Sequence, residues 1–363
     1  MASWAHPESD PSGSLRKVVS LPQPAARGLW EAVDELVDRA PRVSDLTFHR
    51  LHLLGARRYR ETGRLVPRDL AAAERNAAIL NLVVPVVLER ARNAYDRTIV
   101  VMKGPEAAAR YPDPALRPFG DLDLLVPDAA EAQRALLAAG FVTAGSPEPY
   151  VDIHHLQPLQ WPDIPLFVEI HDRPKWPARL PLPSRAELLA SAIPGTTGVP
   201  GVLTLPPELH AMVLAAHSWA HTPLARIGHL VDLASMTAGL DRRELDRIAA
   251  ELGMRRLWGT SIGAADALFE DAPVPWALRS WARNLCDARE QTVFGSHLTR
   301  WLPPWWALST HDALRANAFT LTRALGPLRD EPWRRKLRRM LSAFRHAGRR
   351  LSEHHRTLGE GGR

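Results

Sequence analysis

A six-residue alternation at positions 121–126 constrains the fold of this chain more than any other feature. Successive side chains of an extended strand point to opposite faces, so Asp121 and Asp123 share one face, about 7 Å apart along the strand. The other face carries the apolar side chains Leu122, Leu124 and Val126. The segment therefore predicts a strand with an apolar face for the core and two carboxylates on its polar face.

Strand-like runs are confined to the middle of the chain, and helical spacing dominates on both sides. Further strands are predicted at 98–102, 155–161 and 166–171. Helices are predicted at 29–40, 45–58, 68–94, 105–110, 129–139, 206–220, 227–238, 242–252, 257–268 and 276–294. The segment 301–306, rich in Pro and Trp, predicts a break before the last helices. The pattern indicates an α+β fold with a small mixed sheet between helical segments.

The chain divides into five predicted parts. With 363 residues, 45% of them hydrophobic, it can bury a substantial core. The parts are a flexible leader at 1–28, an N-terminal helical segment at 29–95, a mixed-sheet core at 96–200, a helical domain at 201–330 and a basic amphipathic tail at 331–363.

Composition excludes several classes of protein. The single cysteine, Cys286, rules out an intramolecular disulfide and a cysteine-cluster metal site. We find no secretory signal, and the apolar stretch at 77–88 is too short to span a bilayer and contains Asn81 and Pro85. We therefore expect a cytoplasmic protein without a transmembrane segment.

The net charge of +6 is concentrated in the tail. Residues 331–363 hold ten Lys and Arg against three Glu, a local balance of +7, which leaves the other 330 residues at −1. A near-neutral body argues against a long nucleic-acid substrate. The tail has an apolar helical stripe among its basic residues, formed by Trp333, Leu337, Met340, Leu341 and Phe344. Such a helix either docks on the body or binds RNA phosphates, an acidic partner or an anionic membrane.

Oxygen ligands dominate the candidate chemistry. The alternation at 166–171 places Glu169 and His171 on one face of a second strand. Beside Asp121 and Asp123, Glu169 supplies a third carboxylate, and such a set suits Mg²⁺ or Mn²⁺. Phosphoryl chemistry uses sites of this kind, because the metal neutralises phosphate charge and positions the attacking oxygen.

The spacing of these residues carries a resemblance to a known family. Its elements appear in order as Lys103-Gly104, Tyr111-Pro112-Asp113-Pro114, Arg117, Gly120-Asp121-Leu122-Asp123 and Glu169 with His171. Over residues 99–171 the chain resembles a bacterial family of uncharacterised nucleotidyltransferases, which is similar to the DNA polymerase β-like nucleotidyltransferase superfamily. The resemblance implies a small polymerase β-like core at 96–200.

The resemblance assigns roles to individual residues. It implies that Asp121, Asp123 and Glu169 are catalytic and bind metal, with Glu169 as the base for an acceptor hydroxyl. It also implies a nucleotide-binding set, which comprises Lys103, Gly104, Arg117, Gly120 and His171. Pro105 departs from the superfamily pattern, because proline replaces the usual small hydroxyl residue and supplies neither a hydroxyl nor an N–H. Phosphate binding then depends more on Lys103 and on the bidentate donor Arg117.

The expected reaction is transfer of a nucleoside monophosphate from an NTP, most simply ATP, to an acceptor, with release of pyrophosphate. The acceptor is a small molecule, a peptide or protein, or an RNA end. Pro105 keeps open an inactive nucleotide-binding or regulatory module, and transfer of the γ-phosphate on the same fold is a further alternative. Both Lys103 and His171 also have structural interpretations, as a surface residue at a strand end and as a hydrogen-bonded imidazole.

Other polar residues are weaker candidates for the site. The pair His154-His155 is either a polar strand start or part of the site. His217 and His221 are four residues apart on a predicted helix, a spacing that can bind zinc, although a structural role is favoured because the intervening residues lack a glutamate. Asp232 either contacts substrate or forms an internal ion pair with Arg226 or Arg242.

Overall fold

The computed structural model describes residues 27–40, 42–145, 154–221, 223–270, 272, 301–327 and 331–345. Its helices are α1 Arg27–Asp38, α2 Val43–Phe48, α3 His52–Glu61, α4 Arg68–Ala94, α5 Pro105–Ala108, α6 Ala129–Ala138, α7 Arg185–Ala190, α8 Pro207–His221, α9 Ile227–Thr237, α10 Arg242–Glu251, α11 Arg255–Phe269, α12 Pro303–Ala307, α13 Thr310–Leu325 and α14 Trp333–Arg345. Its strands are β1 Ile99–Val101, β2 Asp121–Leu125, β3 Val142–Thr143, β4 Leu159–Gln160, β5 Phe167–His171, β6 Ile193–Pro194 and β7 Val202–Thr204.

The strands of the described residues form one mixed sheet in the order β3-β4-β5-β2-β1-β7-β6. β2 pairs in parallel with β5, and β1 pairs in parallel with β7, whereas the other neighbours are antiparallel. A mixed sheet among many helices confirms the predicted α+β class.

The two faces of the sheet are covered by different helices. Leu122 and Leu124 of β2 pack in one apolar cluster with Leu88 of α4 and Leu136 of α6. Leu125, which points to the other face, lies in a second cluster with Val213 of α8. Because Asp121 and Asp123 share the face of Leu125, strand alternation directs both carboxylates to the side that α8 covers.

The helices that flank the sheet in sequence share a single apolar cluster. Val33 of α1 and Leu54 of α3 lie in the same cluster as Met212 of α8 and Trp258 of α11. The N-terminal helices therefore pack against the C-terminal helices, and the turn between α2 and α3 is brought to the start of α9. The division of the chain into five parts stays a prediction.

Three local predictions were wrong. The segment predicted as one helix at 45–58 is two helices, because the chain turns at Arg50, whose φ is 59°. The strand predicted at 155–161 pairs regularly only at Leu159–Gln160, with one isolated bridge between His155 and His171. The predicted break at 301–306 contains α12, which begins with Pro303 in its first turn, a position that proline tolerates.

Short elements account for most of what the sequence missed. The strands β3, β6 and β7 and the helix α7 had no prediction, since two to six residues give little periodicity to read. The helix predicted at 276–294 and nearly all of the leader lie outside the described residues. The long helix predicted at 68–94 is confirmed, and α4 runs through Pro85.

Among the described helices, α4 is long and apolar enough to cross a membrane by length and composition alone. A single helix of this kind is weak evidence, because core helices of other proteins pass the same test.

The tail contains the predicted amphipathic helix, as α14. Three residues of its apolar stripe are exposed, since the exposed fractions of Trp333, Leu337 and Leu341 are 60%, 54% and 57%, whereas Met340 is half-buried and Lys336 on the same helix is buried. Docking of the helix on the body stays a prediction. Contact with RNA, an acidic partner or a membrane stays a prediction.

Candidate active site

The carboxylates of the candidate site come from two paired strands. In the parallel register of β2 and β5, Asp123 lies beside Glu169, and Asp121 lies beside Phe167. Side chains at paired positions point to the same face, so Asp121, Asp123 and Glu169 line one cavity of about 230 Å³. The structure therefore brings together the three predicted carboxylates, and a local strand pattern explains why.

Asp123 is the most enclosed of them, with an exposed fraction of 0%. Lys103 Nζ lies 2.8 Å from Asp123 Oδ1, and His171 Nε2 lies 3.0 Å from the same oxygen. Burial opposes the charged carboxylate, but Lys103 and His171 outweigh it and hold the pKa of Asp123 well below its usual range. Asp123 is therefore an anion at neutral pH.

The pKa values of Asp121 and His171 are raised, whereas that of Asp123 is lowered. Burial, and next the charge of Asp123, raise the pKa of Asp121. Burial works against a charged His171, but its contacts with Asp123 and Glu169 raise its pKa overall. Glu169 Oε2 lies 3.5 Å from His171 Nε2 and 3.7 Å from His155 Nε2. The imidazole of His171 thus joins the two carboxylates of neighbouring strands.

The donor set fits a divalent cation. Ligand atoms of Asp123, Glu169 and His171 lie within 4.8 Å of one another. Asp123 Oδ1 already contacts Lys103 and His171, whereas the equally buried Asp123 Oδ2 accepts no hydrogen bond from the described residues. Buried polar atoms are normally satisfied, so a carboxylate of this kind is suited to a cation. Asp121, a predicted metal ligand, lines the same cavity but does not belong to this group of three. The third member of the group is His171, which was predicted to bind nucleotide.

Lys103 and Gly104 form the turn between β1 and α5. Gly104 has φ 58°, and a Cβ at this position would lie 3.1 Å from the backbone oxygen of Asp121. Glycine is therefore favoured by its left-handed backbone and by the close approach of the turn to β2. Gly120 meets no such restriction, since a Cβ there would have open space. Binding of phosphate by Lys103, Gly104 or Gly120 stays a prediction.

Arg117 is held inside the protein by a carboxylate that the sequence did not pair with it. Its Nε and Nη2 donate to Asp232 at 2.7 and 2.9 Å, and its Nη1 donates to the backbone oxygen of Gly104 at 3.2 Å. Tyr111 also donates to Asp232, at 2.7 Å. The internal ion pair considered for Asp232 therefore exists, but with Arg117 rather than Arg226 or Arg242. A phosphate-binding role for Arg117 stays a prediction.

Helices and loops add basic residues to the cavity. Its lining includes Arg50 and Lys175, neither of which the sequence singled out, and the histidines His154, His155, His217, His221 and His229. Lys103 Nζ lies 3.2 and 3.3 Å from the ring nitrogens of His217, and Lys175 Nζ lies 2.9 Å from both of those of His221. Among the described residues, neither His217 nor His221 joins a group of three metal-ligating side chains.

These histidines are neutral at neutral pH. Burial, and then nearby positive charge, lower the pKa of His154 to about 2, that of His229 to about 3 and that of His221 to about 4. The pKa of His217 is also well below its usual range, through burial and the neighbouring Lys103. Neutral imidazoles offer hydrogen bonds without adding charge. The positive charge of the cavity lining therefore comes from Arg50, Lys103, Arg117 and Lys175.

One of the comparisons with known proteins identifies a family. A model of the family described as "Uncharacterised nucleotidyltransferase" matches residues 30–270, about two thirds of the chain. Comparison with curated proteins and with solved structures gives no significant match. The matched range contains the sheet, both carboxylate strands and every residue named above as lining the cavity.

Proposed function

Because the chain belongs to the uncharacterised nucleotidyltransferase family, we propose that its cavity transfers a nucleoside monophosphate from an NTP to an acceptor hydroxyl or phosphate. An oxygen of the acceptor forms a bond to the α-phosphorus, and the bond from that phosphorus to the bridging oxygen of the β-phosphate breaks. Pyrophosphate leaves with the electron pair of the broken bond. ATP is the simplest first choice of NTP.

One observation carries this proposal above the others. Asp123 is a wholly buried carboxylate that shares a cavity with Asp121 and Glu169, and its Oδ2 accepts no hydrogen bond from the described residues. Asp121, Asp123, Glu169 and His171 would hold the divalent cation that this family implies. When bound, that cation neutralises phosphate charge and supports attack by the acceptor oxygen. Carboxylate oxygens suit Mg²⁺ or Mn²⁺.

The protein side chains perform the remaining steps. Glu169 accepts the proton of an acceptor hydroxyl, and contact with His171 favours its ionised form. Although burial raises the pKa of Glu169, His171 and His155 lower it overall. Lys103 binds the phosphates next to the carboxylates, a role supported by the position of its Nζ, 2.8 Å from Asp123. Gly104 lets the backbone of this turn come close to β2.

The central test combines Asp121→Asn with Asp123→Asn. We expect loss of metal-dependent pyrophosphate release from NTP, while the circular dichroism spectrum stays that of the folded protein. A matched control combines Asp69→Asn with Asp163→Asn, since both of these carboxylates are exposed. Full activity of the first double variant would show that the assignment is wrong.

The acceptor is found by incubation with each labelled NTP and a cell extract, followed by mass spectrometry of the labelled product. Addition of a nucleoside monophosphate supports the proposal, whereas addition of a single phosphate would identify γ-phosphate transfer. Binding of NTP without any product over a broad screen of acceptors would favour a regulatory module. The products to search for are small molecules, peptides or proteins, and RNA ends. A cytoplasmic location stays a prediction.

A further inference from the structure

The turn at Arg50 is an unusual piece of backbone that tertiary contacts hold in place. Arg50 has φ 59°, a left-handed conformation that costs free energy for a residue with a Cβ. The preceding residue, His49, accepts a hydrogen bond at its backbone oxygen from the N–H of Gly228, at 2.9 Å. Its Nδ1 accepts another from the N–H of Ile227, at 3.3 Å. The start of α9 therefore fixes the turn.

Gly228 is essential to this arrangement. A Cβ at position 228 would lie 2.7 Å from the backbone oxygen of His49 and 2.9 Å from the Cβ of Arg50. A real Cβ atom essentially never makes contacts this short, so any larger residue would push the turn away from α9. Arg50 itself donates from Nη2 to the backbone oxygen of Pro118, at 2.6 Å, and lines the cavity. Both ends of the Arg50 side chain are thus positioned by other segments.

Arg50 and Lys175 differ from the other two cations of the cavity in their partners. Lys103 is paired with Asp123, and Arg117 with Asp232. In the part of the chain that the structure describes, neither Arg50 nor Lys175 forms an ion pair with a carboxylate. Burial, and next the charge of Arg117, lower the pKa of Arg50, and burial and Lys103 do the same to Lys175. A bound anion in this part of the cavity would stabilise the charged forms of Arg50 and Lys175.

The basic part of the cavity adjoins the carboxylates through Lys103, whose Nζ contacts both Asp123 and His217. We propose that Arg50 and Lys175, with His221 beside Lys175, bind the β- and γ-phosphates of the NTP. This assignment rests on the proposed function, in which the α-phosphate lies at the carboxylates. The guanidinium of Arg50 offers paired donors that match phosphate oxygens, and His221 adds a neutral one. A chain of phosphates then runs from the carboxylates to Arg50 and Lys175.

Inorganic tripolyphosphate is a suitable probe, because its binding needs neither turnover nor an acceptor. Isothermal titration calorimetry without metal would compare the wild-type protein with Arg50→Gln and Lys175→Gln. We expect each variant to bind tripolyphosphate about tenfold to a hundredfold more weakly, as loss of a hydrogen bond to a charged group implies. Arg39→Gln is the matched control, because Arg39 is exposed and pairs with Glu35 on α1. NTP should compete with tripolyphosphate for the wild-type site.

A second variant tests how Arg50 is positioned. Gly228→Ala keeps the arginine but displaces its turn, so tripolyphosphate should bind more weakly although no charge is lost. If Gly228→Ala does not fold, the strict need for glycine is supported and the Arg50→Gln measurement still decides the binding role.

Wild-type affinity in both Arg50→Gln and Lys175→Gln would overturn the inference, and so would an absence of competition by NTP. Wild-type affinity in these two variants leaves the proposed function standing, because that function is tested by pyrophosphate release in the variants of Asp121 and Asp123. The opposite combination is also distinguishable. If the wild-type protein shows no nucleotidyl transfer but Arg50→Gln weakens tripolyphosphate binding, the polyphosphate site stands and the proposed reaction does not.

Discussion

The cavity has two chemically different parts, which we call the acidic wall and the basic wall. The acidic wall consists of Asp121, Asp123 and Glu169 on the paired strands β2 and β5. The basic wall comes from distant segments, namely the turn before α3, the chain after β5, and helices α8 and α9, and it contains Arg50, Lys175, His217, His221 and His229. Lys103 contacts both walls.

The difference shows two ways of holding a functional group in place. Backbone pairing between strands sets the separation of Asp123 and Glu169, so few other contacts are needed to fix it. The basic wall has no such ladder. The N–H of Gly228 donates to the backbone oxygen of His49 beside Arg50, and Arg50 itself donates to Pro118. We therefore expect variants of the acidic wall to affect chemistry, and variants of the basic wall to affect substrate binding.

The largest expected effect is on turnover, from the acidic wall. Glu169→Gln should reduce kcat about a thousandfold, since general bases contribute about 10²–10⁴-fold to rate. The basic-wall variant Lys175→Gln should mainly raise KM for NTP, and both are measured by steady-state pyrophosphate release at saturating metal. Glu187→Gln, at an exposed position of α7, serves as control. A kcat for Glu169→Gln close to wild type would remove Glu169 as the base.

A large effect on stability is expected when the buried ion pair between Arg117 and Asp232 is broken. Asp232→Asn breaks the buried pair with Arg117, and the loss of one partner from such a pair costs about 3–5 kcal/mol. Urea unfolding would measure this change in the free energy of unfolding. Glu244→Gln, in an exposed pair with Arg247, should change it little. Equal effects for the two variants would contradict a structural role for Asp232.

Acidification should destabilise the protein through its buried neutral histidines. Burial lowers the pKa of His210 on α8 to about 3, from the usual 6.5 of a histidine. Between these two pH values the unfolded chain binds a proton that the folded chain does not, so stability is lost as the pH falls through this window. For His210 the loss from pH 7 to pH 5 is about 2 kcal/mol.

The variant His210→Asn should therefore show a shallower decrease of unfolding free energy between pH 7 and pH 5, measured by urea unfolding. His311→Asn is the control, because His311 lies on the surface. An unchanged slope in His210→Asn would mean that the imidazole is already protonated in the folded protein.

The smallest effect concerns the metal. His171→Asn should weaken Mn²⁺ binding about tenfold, within the range seen when the surroundings of a metal site are altered. Mn²⁺ electron paramagnetic resonance measures this without turnover. His229→Asn is a control from the basic wall, where the imidazole contacts Ser218. Unchanged Mn²⁺ affinity in His171→Asn would leave the carboxylates as the ligands of the acidic wall without this histidine.

Much of the fold followed from patterns within single elements. The strand at Asp121–Leu125 and the helix at Arg68–Ala94 are long enough to show a clear period, and both were predicted. The helix break at Arg50 was missed, because nothing in residues 45–58 marks a left-handed turn. His49 and Arg50 are held there by α9, about 180 residues later in the chain.

The two walls differ in the same way, because one follows from a local sequence pattern and the other from contacts between distant segments. The amino-acid sequence alone determined that Asp121 and Asp123 share a face, because side chains alternate along every strand. The parallel register that sets Glu169 beside Asp123 came from the structure. Only the tertiary structure decided that Arg117 pairs with Asp232, and that Arg50 and Lys175 line the same cavity. Packing of distant helices sets these contacts, and no local period in the sequence encodes which helices meet.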